Sequence, residues 1–201
     1  MDTDEIWHNI DEQRASLADL LDTLSPQQWE QQSLCRGWKV RDVAAHLTHS
    51  QMGPLQAMVE AARSGFRFDP MINRLALADT RSQAEIVAAL RASVGSRKHI
   101  IGTKPADPLT DVLVHGQDIT IPLGIDRPVP AAAGAAAAHH LWHMVFPMRP
   151  ASRAKGIRLT ASDADFVAGD GYEISAPVRD ILLVLTGRRT AISDEVDAHR
   201  T

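Results

Sequence analysis

The sequence predicts a mainly α protein, a helical body followed by a small α+β tail. Three observations carry this. Apolar residues recur at helical spacing from the first segment on, as in Ile6, Ile10, Leu17, Leu20, Leu21 and Leu24. Prolines and capping residues then cut the body into helix-length pieces. After "RPASRAKG" the texture changes to alternating runs around a Gly-Asp-Gly turn. The expected division is 1–150 for the helical body and 151–201 for the tail. With 201 residues, 44% of them hydrophobic, the chain can bury one substantial core plus an elaboration.

Taken in order, helix 1 ends where Ser25-Pro26 supplies a new N-cap and a first-turn proline. "PQQWEQQ" reads as a short helical turn, and "SLCRGW" as the loop after it. A long helix is expected over 38–63, with Val40, Val43, Leu47, Leu55, Met58 and Val59 as its apolar line and Gly65 as its stop. "GFRFDPM" reads as a reversing loop, and "SQAE" has the spacing of a capping box for a helix over 83–99. Asp107 and Pro108 start another, which carries Leu109, Val112, Gly116 and Ile119 on one face and stops near Pro122. The alanine-rich run 131–146 makes a further helix, ended by Pro147. In the tail, "GIRLTAS" alternates like a strand, and "DFVAGDGYEIS" reads as a hairpin turning at Gly-Asp-Gly. "APVRDILLVLTGRR" is a helix opened by Pro177 and stopped at Gly187, and "AISDEVDAHRT" reads as a frayed terminus.

Composition narrows the function. The 21 basic and 25 acidic residues give a net charge of −4, which leaves no positive excess for a nucleic acid. The start "MDTDEIWHNIDEQR" is acidic where a secretory signal is basic and then apolar, and no run approaches the ~18 apolar residues of a membrane span. A soluble, cytoplasmic protein is the expectation. With one cysteine, Cys35, neither an intramolecular disulfide nor a cysteine-rich zinc site can form, so a metal here would lean on carboxylates and the nine histidines.

Asp111 and His115 are four residues apart on one predicted helix, and at roughly 100° per residue they share a face. Two such groups can share one ion. His46 adds a third ligand if its helix faces theirs, as bundle metal sites require. Two nitrogens and one oxygen with open positions left over suit catalytic rather than structural zinc. The plain alternative is a solvated carboxylate and histidine pair, with His46 as a boundary residue beside Val43 and Leu47. His139 and His143 have the same spacing, and spacing alone does not rank the two pairs; His49, three residues after His46, is a further neighbour. Cys35 reads as a packed thiol, with no histidine at a telling sequence position. Arg36, Lys39 and Arg41 read either as an anion-binding cluster or as a solvated face.

"CRGWKVRDVAAHL", followed far downstream by "DVLVHGQDI" and then by "RLTASDADFVAGDGYEISAP…LLVLTGR", resembles the mycothiol-dependent maleylpyruvate isomerase family, within the DinB-like helical metalloproteins. The resemblance spans nearly the whole chain. It implies a DinB-like four-helix bundle that holds a divalent metal, usually zinc, with a small C-terminal domain and the low-molecular-weight thiol mycothiol as cosubstrate. It also places the metal ligands on His46, Asp111 and His115, and an anion-binding role on Arg188 of "TGR". Arg188 also fits a plain helix C-terminal cation. The family pattern has glutamate where this chain has Asp111, a carboxylate shorter by one methylene.

The function this implies is a metal-dependent enzyme that uses the thiolate of mycothiol, either to isomerise a maleylpyruvate-like activated alkene or to transfer the thiol to an electrophile. A non-catalytic metal- or small-ligand-binding protein of the same fold, with a homodimer interface on the alanine-rich helix, is the alternative. A structural helical adaptor without any site ranks last.

Overall fold

The computed structural model describes residues 1–99, 104–145 and 149–200. It is mainly helical with a small three-stranded sheet near the C-terminus, which is the predicted class. The chain divides into two compact units, one of residues 7–127 and one of residues 1–6 with 128–201.

Helix α1 (Thr3–Asp22) opens the chain, and α2 (Pro26–Trp29) starts at the expected proline. Ser25 and Gln28 close a capping box there: the Ser25 N–H donates to Gln28 Oε1 at 2.9 Å and Ser25 Oγ accepts from the Gln28 N–H. The single helix expected over 38–63 is two. Helix α3 (Val40–Thr48) runs into a short 3₁₀ turn, and α4 (Pro54–Arg63) begins afresh. Pro54 has no N–H to give the preceding turn, and it holds Gly53 extended at φ −68° and ψ 155°. "GFRFDPM" is not a plain loop either, because α5 (Phe68–Leu77) starts inside it. Pro70 stands third in that helix, where an N–H is not yet needed. Helix α6 (Gln83–Ala92) has the predicted Ser82/Glu85 box but ends seven residues short of 99. Helix α7 (Ala106–Thr120) follows the predicted bounds closely.

Within this first unit α3 is the central element, packed against α5, α6 and α7. Val40 and Val43 are fully buried and Leu47 nearly so, among Leu17, Ile86, Leu90 and Val112. A buried arginine closes the unit. Arg127 donates to Gln13 Oε1 at 2.8 Å, to the Gln13 carbonyl at 3.1 Å and to Ser16 Oγ at 3.0 Å. Burial lowers its pKa below the ordinary arginine value.

Asp79 ties the 3₁₀ turn after α3 to the segment before α6. Its Oδ1 accepts from the Arg81 backbone N–H and from Arg81 Nε, both at 3.0 Å, while His49 Nε2 lies 3.3 Å from Oδ2. Burial by itself raises the Asp79 pKa, but the Arg81 guanidinium, the Arg81 N–H and His49 outweigh it and hold it down at about 2. A depressed carboxylate stabilises the fold above its unfolded value, and that contribution is lost as pH falls through the folded value. Asp79→Asn is therefore expected to cost about 2 kcal/mol at neutral pH. The gap to wild type should shrink between about pH 4 and pH 2, which urea titrations across that range read directly. A gap that stayed constant down to pH 2 would contradict the assignment.

In the second unit, α8 (Ala131–His143) packs on α9 (Val178–Leu185), and Ala133, Gly134, Ala137, Ala138 and Leu141 of α8 are buried. A Cβ at Gly134 would stand 2.7 Å from Val178 Cγ1, so the alanine-rich face is used inside the chain. The helix stops at His143, with Met144 extended, three residues short of the expected end at Phe146; Phe146 and Pro147 themselves lie outside the described residues. Strands β1 (Ile157–Ala161), β2 (Val167–Ala168) and β3 (Tyr172–Ala176) form a sheet of order β2-β1-β3. β1 pairs antiparallel with β2, Leu159 opposite Ala168, and parallel with β3, Leu159 opposite Ile174. The expected hairpin is thus not formed, since the Gly-Asp-Gly turn carries the chain from one edge of β1 to the other. It passes so close to the start of β1 that a Cβ at Gly169 would lie 2.1 Å from the Ile157 carbonyl oxygen, and one at Gly171 2.1 Å from that of Gly156. The end of the chain is not frayed: α10 (Ser193–His199) stacks His199 on Tyr172 with ring centroids 3.6 Å apart, and Arg189 pairs with Asp194 and Asp197.

Candidate metal centre

The loop before α3 is shaped by its own hydrogen bonds. Ser33 Oγ donates to the Trp38 carbonyl at 2.7 Å and accepts from the Cys35 N–H at 3.1 Å, and the Trp38 N–H closes onto the Cys35 carbonyl at 3.0 Å. The Leu34 N–H donates to the Asp118 carbonyl at 3.1 Å, which fastens the loop to α7. Trp38 is buried, its Nε1 donating to Asn73 Oδ1 at 2.8 Å, and its ring stands 5.3 Å from that of His46 and 6.4 Å from that of His115.

With α3 against α7, the rings of His46 and His115 meet edge to face at 4.8 Å. His46, Asp111 and His115 bring one ligand-type atom each to within 4.8 Å of one another. Asp111 is exposed and the two histidines half-buried, so the group opens outward. The three residues singled out on spacing and on resemblance are thus neighbours in space.

A second group overlaps the first. Cys35, His115 and Asp118 also place ligand-type atoms within 4.8 Å of one another. Asp118 is fully buried, and its Oδ2 lies 2.8 Å from His115 Nδ1 and 3.0 Å from Cys35 Sγ, which donates to it. An ionised carboxylate only accepts, so the His115 Nδ1–H donates to it and the Nε2 lone pair is left for a ligand. Burial alone lowers the His115 pKa, but the Asp118 carboxylate and neighbouring Cys35 outweigh it and push it up to about 10. The surroundings of this ring favour positive charge, whether a proton or a cation, so the donor set suits a divalent metal.

Sequence reasoning passed over Asp118, although a carboxylate three residues after a histidine on one helix was signal enough for a carboxylate-histidine pair. It also dismissed Cys35 for want of a histidine partner; His115 supplies one across 80 positions of chain, at 3.7 Å. No local pattern encodes that.

Among the described residues the other candidates belong to neither ligand group, although the His49 ring stands 6.2 Å from that of His46. His49 Nε2 faces Asp79, and burial is the larger effect on its pKa, lowering it against the pull of that carboxylate. His139 packs on Phe166 at 5.0 Å, and neither it nor His143 belongs to a ligand group among the described residues. Lys39 pairs with Glu30 at 2.7 Å and Arg41 donates to the Asp79 and Arg81 carbonyls, so both have structural work. Arg188, in the second unit, donates to the Thr186 carbonyl at the end of α9 at 2.9 Å.

His46 and Asp111 also line a cavity of about 560 Å³ within the first unit. Its wall is mostly apolar, with Met58, Met71, Ile72 and Leu75, while Arg14 and Lys98 bring positive charge. Arg14 is buried and donates to the Ser93 carbonyl at 2.9 Å and the Ser96 carbonyl at 3.2 Å. Burial lowers its pKa, against the pull of Asp11 and Asp111. Among the described residues, no helix is long and apolar enough to cross a membrane.

Comparison with known proteins gives one family. A family model described as the mycothiol maleylpyruvate isomerase N-terminal domain matches residues 10–111, which take in Cys35 and His46 and end at Asp111. No curated protein and no solved structure matches the chain.

Proposed function

The chain belongs to the mycothiol maleylpyruvate isomerase N-terminal domain family, and from that membership we propose that it is a metal-dependent enzyme with mycothiol as cosubstrate. The observation that carries this is the convergence of His46, Asp111 and His115, of which His46 and Asp111 line an apolar cavity. A divalent ion held by these three, zinc in this reading, would favour the thiolate over the thiol of a coordinating cosubstrate.

The chain's own residues supply the rest. Asp118 accepts the His115 Nδ1–H and so leaves Nε2 as the nitrogen to share an ion with Asp111 and His46. The apolar wall keeps water from the thiolate, and Arg14 and Lys98 receive the carboxylate of an electrophile. Addition of the sulfur to an activated double bond moves the π electrons onto the neighbouring carbonyl and leaves a single bond free to rotate. Elimination then returns the thiolate and the isomerised alkene. With a good leaving group in place of the double bond, the same attack transfers the thiol for good. Arg188, in the second unit, is the residue proposed to bind a further anionic group.

The test supplies zinc-loaded protein and mycothiol to a panel of cis-activated alkenes and alkyl halides, following alkene geometry and free thiol together. Isomerisation changes geometry at constant thiol, whereas transfer consumes thiol. His46→Ala is expected to lower either rate by roughly a hundredfold or more. Turnover in neither readout across the panel, with metal shown to be bound, would favour the non-catalytic reading, for which exposed Asp111 speaks.

A further inference from the structure

The overlap at His115 carries more than a ligand set and its support. We propose that Cys35, His115 and Asp118 form a second metal seat, selective for soft, thiophilic divalent ions, which shares His115 with the first group and excludes it.

Geometry is the first reason. Bonds of roughly 2.0–2.3 Å to nitrogen, oxygen and sulfur put the donors of a tetrahedral ion about 3.3–3.6 Å apart. The three edges here measure 3.7 Å from Cys35 Sγ to His115 Nδ1, 3.0 Å from Sγ to Asp118 Oδ2, and 2.8 Å from Nδ1 to Oδ2. The two shorter edges are hydrogen bonds. An ion that replaces their protons takes the place those protons hold, and the donors open by about half an ångström for an ion of zinc's size and further for a larger soft ion.

Chemistry is the second. The first group offers imidazole and carboxylate, whereas this one offers a thiolate, and soft ions such as cadmium prefer sulfur. Binding here releases the thiol proton of Cys35, moves the His115 ring proton from Nδ1 to Nε2, and leaves Asp118 with a cation in place of two donors. The buried carboxylate is thereby compensated.

Exclusion follows from the ring. A neutral imidazole has one lone pair, on Nδ1 or on Nε2. An ion at the Cys35 seat takes Nδ1 and places the proton on Nε2, which removes His115 from the first group. Soft ions would therefore silence the first site from the far side of its own histidine. The seat itself stands on Cys35, His115 and Asp118; only this silencing rests on the function proposed above.

Cadmium titration of the full chain, first stripped with chelator, decides the matter. The expected result is a thiolate-to-cadmium charge-transfer absorption that saturates at one ion per chain and shields Cys35 from iodoacetamide. In His46→Ala the absorption persists. In Cys35→Ser, checked for folding by circular dichroism, it is lost and cadmium affinity falls by roughly a hundredfold. Absence of the absorption in wild type, or its loss in His46→Ala, overturns the seat. Saturation at two ions per chain overturns the exclusion. If cadmium behaves as expected while zinc and mycothiol give no turnover, the seat stands and the proposed function fails.

Discussion

Replacing His115 with alanine is expected to remove the capacity to hold a metal altogether, a larger effect than any other single change in the site. His115 alone belongs to both ligand groups. His46→Ala and Asp111→Asn each leave the Cys35, His115 and Asp118 group whole, so each should still take up a soft ion, whereas His115→Ala leaves two donors on either side. The change also takes a donor from Asp118, a carboxylate with no exposure, and a buried charged group deprived of a hydrogen bond costs about 2–4 kcal/mol. His115→Gln, which fills more of the space, separates loss of metal from loss of fold. The checks are metal content by mass spectrometry after dialysis, and the urea midpoint. Stoichiometric metal in folded His115→Ala would falsify both ligand sets at once.

The second large effect is expected in the sheet-bearing unit. Gly171 has φ +119°, a conformation that side-chain-bearing residues rarely adopt, and a Cβ there would stand 2.1 Å from the Gly156 carbonyl oxygen. The obstacle is backbone and cannot swing aside. The adjacent register binds it further, since Tyr172 pairs with Ile157 and the Tyr172 N–H donates to that same Gly156 carbonyl at 3.0 Å. Gly171→Ala must therefore push β3 away from β1 or break the turn, at about 3–5 kcal/mol, a large share of the stability of a domain this size. Denaturant unfolding of the variant should show the transition of the sheet-bearing unit at markedly lower urea. A midpoint equal to wild type would mean that the crossing over β1 is not as tight as described. Asp170→Ala, between the two glycines, is the control that should be mild.

Much of the fold was legible because its signals are local. Ser25-Pro26 and the Ser82/Glu85 box each satisfy N–H groups of the turn that follows and start a helix where it was expected. Asp107, by contrast, lies inside the first turn of α7 and accepts from the Lys104 N–H before it, so that helix starts close to the expected place without the expected cap. The break at Gly53-Pro54 was equally local, but an apolar line continuing through Leu55, Met58 and Val59 outweighed it in the reading. In the structure those three are exposed at 78%, 66% and 41%, so the line was not a core face. Helix α5 was hidden by Pro70, which breaks a helix interior but is compatible with its first turn. The sheet was misjudged for the opposite reason: Gly-Asp-Gly is a fair hairpin signal, and pairing with a third strand overrode it.

At the site the same division holds. Asp111, His115 and Asp118 sit four and three residues apart on one helix, so their common face is dictated by the 3.6-residue repeat alone. Composition and the "CRGWKVRDVAAHL" and "DVLVHGQDI" runs were enough to reach the family and the proposed ligands. What those residues face is another matter. His46 meets His115 only because α3 packs on α7, and Cys35 reaches Asp118 only because the Leu34 N–H fastens its loop to that helix. Such contacts join positions tens of residues apart through burial and long-range hydrogen bonds, which leave no periodic trace along the chain. Sequence by itself determined which side chains line one face of α7; the tertiary structure decided that Cys35 and Asp118 stand behind His115 and His46 in front of it.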